Sequence, residues 1–215
     1  MAETSFVRAR RPEHKQQRRE AILTAARELA TESGVRHVSL GNVAAAVGLA
    51  KSNLARYFAT REEIFLVLIT QQWRDWADEV LQRLRQGENV VDALAEPFAS
   101  RPLFCDLLSE LATTLQHNVS VSAARDWNQV LLDLTHELAA AITESHPALT
   151  KGEAFELVTT TGWSVGALYP ASNSPATLAE LYAQTPELAA TCPDFLPSLK
   201  RTLAALVAGL PTLRS

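Results

Sequence analysis

The sequence predicts an all-α chain, with an N-terminal three-helix unit built on a helix-turn-helix and a larger helical part behind it. Three observations carry this. Apolar residues recur at three- and four-residue spacing in one segment after another, and no stretch alternates apolar and polar residues as a half-buried strand does. Two Ser/Thr-x-x-Glu sequences, Thr60 to Glu63 and Thr150 to Glu153, have the form of capping boxes that open helices. Residues 38–58 set two short helical segments on either side of Gly48, the spacing of a helix-turn-helix.

In chain order, residues 1–11 are polar and read as disordered, with Arg8, Arg10 and Arg11 as a basic arm that can reach a minor groove or do nothing specific. Pro12 suits the first position of a helix. From there Ile22, Ala25, Ala26, Leu29 and Ala30 form one apolar stripe, closed by Ser33 and Gly34. The stripe is expected to pack on Val43, Val47, Leu54 and Phe58. Ser39 can cap a short helix that runs to about Val47. Gly48 tolerates the left-handed backbone of a sharp turn. A second short helix runs from about Lys51 to Phe58 and is the one expected to enter a major groove. On it, Leu54 and Phe58 share the inward face, at about 100° per residue. Ser52, Asn53 and Arg56 fall on another face.

Asn pairs bidentately with adenine and Arg with guanine, so Asn53 and Arg56 are the candidates for base readout, with a phosphate contact as the other reading of Arg56. Lys51 and Arg61 sit at helix starts and suit phosphate contacts, which orient without specifying. Tyr57 lies on the border and suits a backbone contact through its hydroxyl. Ser39 can be an N-cap and touch a phosphate at once.

The stretch Val38 to Ile64 resembles the DNA-binding segment of TetR-family transcriptional regulators. The resemblance rests on Ser39 opening the helix, Val43-Ala44 inside it, and Val47-Gly48-Leu49 before the turn. It continues through Ala50-Lys51-Ser52-Asn53-Leu54-Ala55-Arg56-Tyr57-Phe58 and Thr60-Arg61-Glu62-Glu63-Ile64. It covers about the first third of the chain. Two positions depart from the family pattern. Ala50 stands where Ser is usual and loses a cap or phosphate contact, and Ala55 stands where a Tyr often touches the backbone.

The helix from Arg61 carries Ile64, Phe65, Leu68, Ile69, Trp73, Trp76, Val80 and Leu84 on one stripe before Gly87. Behind it the periodicity predicts helices over Val90 to Ala99, Leu103 to Gln116 and Val121 to Glu144. Another runs from Thr150 to Tyr169, ended by Pro170. Ala176 to Gln184 and Phe195 to Leu210 complete the chain. The resemblance implies a DNA-binding domain over residues 15–75, with its helix-turn-helix core at 38–58. Residues 76–215 are then a helical ligand-binding and dimerisation domain.

Composition agrees. Residues 1–61 carry 11 Lys and Arg against 5 Asp and Glu, and residues 62–215 carry 9 against 19, within a net charge of −4. Nucleic-acid binding needs a local positive field, not a positive average. No run approaches a membrane helix, and the N-terminus has no apolar signal core, so a cytoplasmic location is expected. Cys105 and Cys192 read as reduced thiols rather than a disulfide. The five His residues show no metal-ligand spacing, and there is no Gly-rich phosphate loop or nucleophile elbow, so no enzyme activity, metal or other cofactor is expected. Glu110, His117, Asp126 and His136 can face a cavity, though polar edges of amphipathic helices is the plainer reading.

The implied function is a homodimeric, sequence-specific repressor on a palindromic duplex, released by a hydrophobic small-molecule effector. The alternative is an activator or a ligand-independent DNA-binding protein. Trp73, Trp76, Phe104, Trp127 and Trp163 are the candidate pocket aromatics. The acidic excess allows a cationic aromatic ligand through cation–π contact; a neutral pocket with solvated acids is the plainer reading. Dimerisation is expected through Glu153 to Tyr169 and Phe195 to Leu210. Their small residues Gly162, Gly166, Ala204, Ala205 and Ala208 permit close helix approach.

Overall fold

The computed structural model describes residues 4–214, with side chains described from Glu13 onward except at Ala112. Among these residues there are ten α-helices and no strand. The first four are α1 (Thr4–Ser33), α2 (Leu40–Ala46), α3 (Lys51–Leu54) and α4 (Arg61–Arg85). Behind them come α5 (Val90–Ala95), α6 (Pro102–Glu110), α7 (Val121–Ser145), α8 (Lys151–Ser172), α9 (Ala176–Gln184) and α10 (Phe195–Gly209). α1 starts ahead of Pro12, the start read from the sequence. Arg and Ala are strong helix formers, and an interior proline removes only one ladder bond at a local cost. The basic arm at Arg8, Arg10 and Arg11 lies outside the described side chains.

The N-terminal core is the one the periodicity predicts. Ile22, Ala26 and Ala30 of α1 share it with Val43, Ala44, Leu54 and Phe58, all buried, while Leu29 and Val47 pack at its edge. Ile64 and Phe65 of α4 complete it. Each buried Ile, Leu or Phe is worth roughly 1.5–3 kcal/mol. Ser39 caps α2, accepting from the Asn42 N–H at 3.1 Å, and the Asn42 side chain accepts in return from the Ser39 N–H at 3.0 Å. At the other end, Gly48 has φ +66°. Its N–H donates to the Ala45 carbonyl at 3.1 Å, and the Leu49 N–H donates to the Ala44 carbonyl at 2.8 Å. These two bonds form a Schellman closure, which requires a left-handed residue at that position.

α3 is shorter than its apolar spacing suggests. Regular helix stops at Leu54, and the chain goes on to Phe58 through tightened turns, with Arg56 N–H on the Asn53 carbonyl at 3.3 Å and Tyr57 N–H on the Leu54 carbonyl at 2.8 Å. Its N-cap is Ala50, which has no side-chain oxygen to hold the first turn.

α4 runs unbroken from this core into the second part, where an aromatic cluster takes over. Trp73 and Trp76 stand edge to face at 4.9 Å between centroids, Trp73 meets Phe104 edge-on at 5.4 Å, and Phe98 stacks on Phe104 at 5.3 Å. The Trp76 indole N–H donates to the Leu94 carbonyl at 3.3 Å. Two predicted helices break early. α5 ends at Ala95 and gives way to a 3₁₀ turn over Glu96–Ser100, where Pro97 cannot continue the α ladder. α6 ends at Glu110 and passes into one π-helical turn, Leu111–Leu115. α8 does the opposite, continuing past Pro170 to Ser172. The Asn173 backbone N–H and side-chain amide both donate to the Tyr169 carbonyl there, at 3.1 and 2.8 Å.

Gly162 and Gly166 face inward, not toward a partner. A Cβ on Gly162 would come within 3.1 Å of the Trp73 ring, and one on Gly166 within 3.0 Å of the Leu108 carbonyl oxygen. These glycines let α8 close on α4 and α6, so their part in the dimer argument falls away. Ala204, Ala205 and Ala208 of α10 are exposed. α9 buries no residue. Both cysteines are free; Cys105 is fully buried on α6, where burial pushes its thiol up to about 12, while Cys192 is half-buried near Ser174.

The glycine geometry gives opposite outcomes for one substitution. Gly166→Ala must displace backbone and should cost about 1–3 kcal/mol in urea or thermal melts. Gly209→Ala has open space and a helical backbone, and should gain about 0.4–1 kcal/mol. A destabilised Gly209→Ala or a neutral Gly166→Ala would contradict this packing.

Candidate functional site

The turn between α2 and α3 leaves Lys51, Ser52, Asn53 and Arg56 exposed on one side, while Leu54 and Phe58 are sealed into the core. Ser39 is also exposed, with its hydroxyl engaged in the α2 cap. This small convex face carries two cations and two side chains with amide or hydroxyl groups, as groove contact requires.

Two predicted contacts sit differently. Arg61 turns inward. Its guanidinium donates to the Val35 carbonyl at 3.0 Å, lies over the Phe65 ring at 5.3 Å and pairs with Glu62 at 3.6 Å. It ties the Val35 turn to the start of α4. Tyr57 turns toward a cleft between α1, α4 and α7 that Arg19, Arg74 and Trp127 also line. The Arg19 guanidinium lies over the Phe58 ring at 4.1 Å and donates to the Tyr57 carbonyl at 3.3 Å.

A separate cavity of about 520 Å³ lies among α4, α6, α7 and α8. Its walls are Trp73, Leu108, Leu111 and Leu131, with Gly162 and Gly166 where α8 closes in. Trp163, 73% exposed, stands at its mouth. Among the described residues, none that lines it is charged. Of the five aromatics picked from the sequence, Trp73 and Trp163 line this cavity. Trp76 and Phe104 are fully buried in the aromatic cluster, and Trp127 lines the α1/α4/α7 cleft instead. Glu110, His117 and His136 line neither space, and Asp126 lines the cleft. Sequence reasoning missed the polar lining, Ser109, Thr113, Gln116, Thr135 and Thr159, because Ser and Thr on amphipathic helices look alike whichever way they face.

The cavity wall formed by α6 and its π turn is hydrogen-bonded, on both flanks, to residues on either side of the helix-turn-helix. On α6, Asp106 accepts from the Val35 N–H at 2.7 Å, in the 3₁₀ turn before α2. Past the π turn, the Asn118 carbonyl accepts from the Thr60 hydroxyl at 2.8 Å, and the Ser120 N–H donates to Glu63 at 3.3 Å. Thr60 caps α4 as the sequence predicts, accepting from the Glu63 N–H at 3.2 Å. The return arm of that capping box goes elsewhere. Glu63 accepts from the Ala59 N–H at 3.0 Å and from Ser120. Burial alone would raise the Glu63 carboxyl, but the bonds from Ser120 and Ala59 and the nearby Arg19 charge hold it below its ordinary value.

Distinct roles on the exposed face give distinct signatures. Asn53→Ala or Arg56→Ala should cost roughly 1–3 kcal/mol on a preferred duplex and little on random DNA. Lys51→Ala should weaken all duplexes alike and flatten the log-affinity versus log-salt slope by about one unit per lost phosphate contact. Arg61→Ala should leave that slope unchanged and instead destabilise the fold by about 1–3 kcal/mol in a melt. A flatter slope with an unchanged melt would put Arg61 back on the phosphate backbone.

Two family models match the chain, one after the other. Residues 22–68 match the family model described as bacterial regulatory proteins, tetR family, and residues 70–214 match that of the tetracyclin repressor-like C-terminal domain. No curated protein sequence matches the chain. Among solved structures, the fold is similar to Thermus thermophilus FadR, a TetR-family transcriptional repressor in complex with lauroyl-CoA. That match has 19% identity and a TM-score of 0.58, over 92% of this chain and 96% of that one. It is similar to a possible TetR family transcriptional regulator from Streptomyces coelicolor A3(2), with 21% identity, a TM-score of 0.58 and coverage of 91% and 100%. It is also similar to Bacillus subtilis FadR in complex with stearoyl-CoA, with 17% identity, a TM-score of 0.53 and coverage of 88% and 98%. At these identities the likeness to solved structures is one of fold. The two family matches, which between them run from Ile22 to Arg214, show that the chain belongs to the TetR family of bacterial transcriptional regulators.

Proposed function

We propose that the protein is a sequence-specific repressor whose grip on its operator is released when an apolar small molecule fills the cavity among α4, α6, α7 and α8. One observation carries this reading. The segment that walls the cavity, α6 with its π turn, is bonded to the DNA-binding half on both flanks, through Asp106 to Val35 and, past the turn, through Asn118 and Ser120 to Thr60 and Glu63. A ligand that displaces Leu108 or Leu111 therefore acts on the DNA-binding half without an intermediary. The neutral lining favours an apolar effector over the cationic one that the acidic excess allowed. The acyl chains held by the two FadR neighbours are of this apolar kind.

Asn53, Arg56 and Ser52 read bases, with Lys51 and Ser39 on phosphates. The DNA-binding domain takes in residues 15–75 and the effector domain 76–215, meeting inside α4. The active species is a homodimer packed through α8 and the exposed alanine face of α10, acting in the cytoplasm. A two-fold axis then sets two recognition helices about 34–36 Å apart or more, on a palindromic duplex. Ala204→Arg together with Ala208→Arg should leave a folded monomer in sedimentation; an intact dimer would remove α10 from the interface.

The deciding experiment is selection of duplexes from random DNA by the purified protein, repeated with apolar compounds. A cavity ligand should lower operator affinity by a coupling of roughly 1–3 kcal/mol. Asp106→Ala combined with Thr60→Asp, which keeps an N-cap acceptor but loses the donor to Asn118, should keep ligand binding and operator binding but shrink that coupling. An affinity indifferent to every ligand that binds would favour the ligand-independent reading, and a ligand that raises it the activator.

A further inference from the structure

We infer that the cavity selects neutral apolar molecules that carry a hydrogen-bond donor, and discriminates against carboxylates and coenzyme A thioesters. This rests on the effector-site reading and names the ligand chemistry of that same site.

The inference comes from which protons the cavity wall has already used. Four lining residues bear hydroxyls, and each donates to a carbonyl of its own helical segment. Thr135, only 2% exposed, donates to the Leu131 carbonyl at 2.7 Å. Ser109 donates to the Cys105 carbonyl at 2.9 Å. Thr159 is shared between the Phe155 and Glu156 carbonyls at 3.1 and 3.0 Å, and Thr113 reaches the Glu110 carbonyl at 3.4 Å. A hydroxyl has one proton and two lone pairs. With the proton engaged, any of these oxygens that meets a ligand meets it as an acceptor.

One backbone carbonyl of the lining also loses a donor. Pro170 lies inside α8 and has no N–H, so the carbonyl of Gly166, four residues back and itself a lining residue, lacks its helical donor. The side-chain N–H groups of the lining do not balance this. The Trp73 indole N–H has no partner among the described residues, but it is sealed from solvent and presents no surface to the cavity. Gln116 and Trp163 are exposed, as Thr113 is, and bring their N–H donors to the outer part of the lining, while the Thr135 hydroxyl is buried within it.

An acceptor-lined, uncharged cavity favours an alcohol, phenol or amide N–H. A carboxylate brings a charge with no cation to meet it and lone pairs facing lone pairs. The phosphates of a coenzyme A thioester likewise find no cation among the lining residues, and its thioester carbonyl is another acceptor.

The test titrates the full-length protein with 1-decanol, decyl methyl ether, decanoate and lauroyl-CoA. Binding is followed by tryptophan fluorescence, since Trp73 and Trp163 line the site, and operator release is measured in parallel. Decanol should bind about fivefold to tenfold more tightly than the ether, the worth of one neutral hydrogen bond, and decanoate should bind more weakly than either. Thr135→Val should erase the preference of decanol over the ether, and Thr135→Ser should keep it. Pro170→Ala, at an exposed position that a helix accepts, restores an N–H to the Gly166 carbonyl and should also weaken decanol selectively. Ala167→Trp should block the mouth and abolish binding of every probe. Tighter binding of decanoate or lauroyl-CoA, equal binding of decanol and its ether, no binding at all, or binding that survives Ala167→Trp would each overturn the inference. If decanol binds as expected but the operator is not released, the ligand chemistry stands and the effector reading falls. If decanoate or lauroyl-CoA binds more tightly and releases the operator, the reverse holds.

Discussion

Everything in this fold hangs on α4 being one uninterrupted helix. Twenty-five residues at 1.5 Å each make a rod of roughly 37 Å. Its first turns give Ile64 and Phe65 to the helix-turn-helix core, and its later turns give Trp73, Trp76 and Val80 to the effector core. Neither core is complete without it. The two halves therefore cannot tilt independently at this junction without breaking apolar packing on one side. What freedom remains is rotation and small translation of the bodies packed against the rod, and that is resisted by the packing of α6 on α1 and on the Val35 turn together with a few hydrogen bonds.

Those bonds are unevenly placed. Asp106, Asn118 and Ser120 belong to a stretch of fifteen residues that includes the π turn, and together they hold the helix-turn-helix at the Val35 turn and at the start of α4. A π turn carries one more residue than an α turn, so its conversion to α geometry would shift the residues C-terminal to it along and around the helix axis. The wall of the cavity thus includes the least regular part of the helical path between the two attachment points.

How much of this was legible in the sequence depended on whether the signal was local. The helix-turn-helix was readable because Ser39, Gly48 and Thr60 act through bonds to residues within a few positions, and such bonds leave fixed spacings. The boundaries that slipped were those set by competing local effects. Ala50 caps nothing, Pro97 tightens α5 into a 3₁₀ turn, and Pro170 is passed over, with Asn173 donating twice to the Tyr169 carbonyl just before it. The site in the second half was legible only in outline. Trp73 and Trp76 are three residues apart on one stripe, and nothing in that spacing says that one edges onto a cavity while the other is enclosed by Trp73 and Phe98. Arg61 likewise carried the right charge at the right helix start. Its turn toward the Val35 carbonyl is a long-range contact that only the folded chain reveals.

The two cysteines give the molecule a practical property. Thiolates, not thiols, react with alkylating probes, and a thiol at about 12 inside a closed core supplies almost none. Cys105 is therefore silent toward such reagents while the fold is intact, and Cys192, near the start of α10 and half-open to solvent, is the position a maleimide meets first. The natural chain thus serves as a single-label protein without cysteine replacement. A fluorophore or spin probe attached there would report on the α9–α10 surface, and delayed modification of Cys105 would time the opening of the core beneath it.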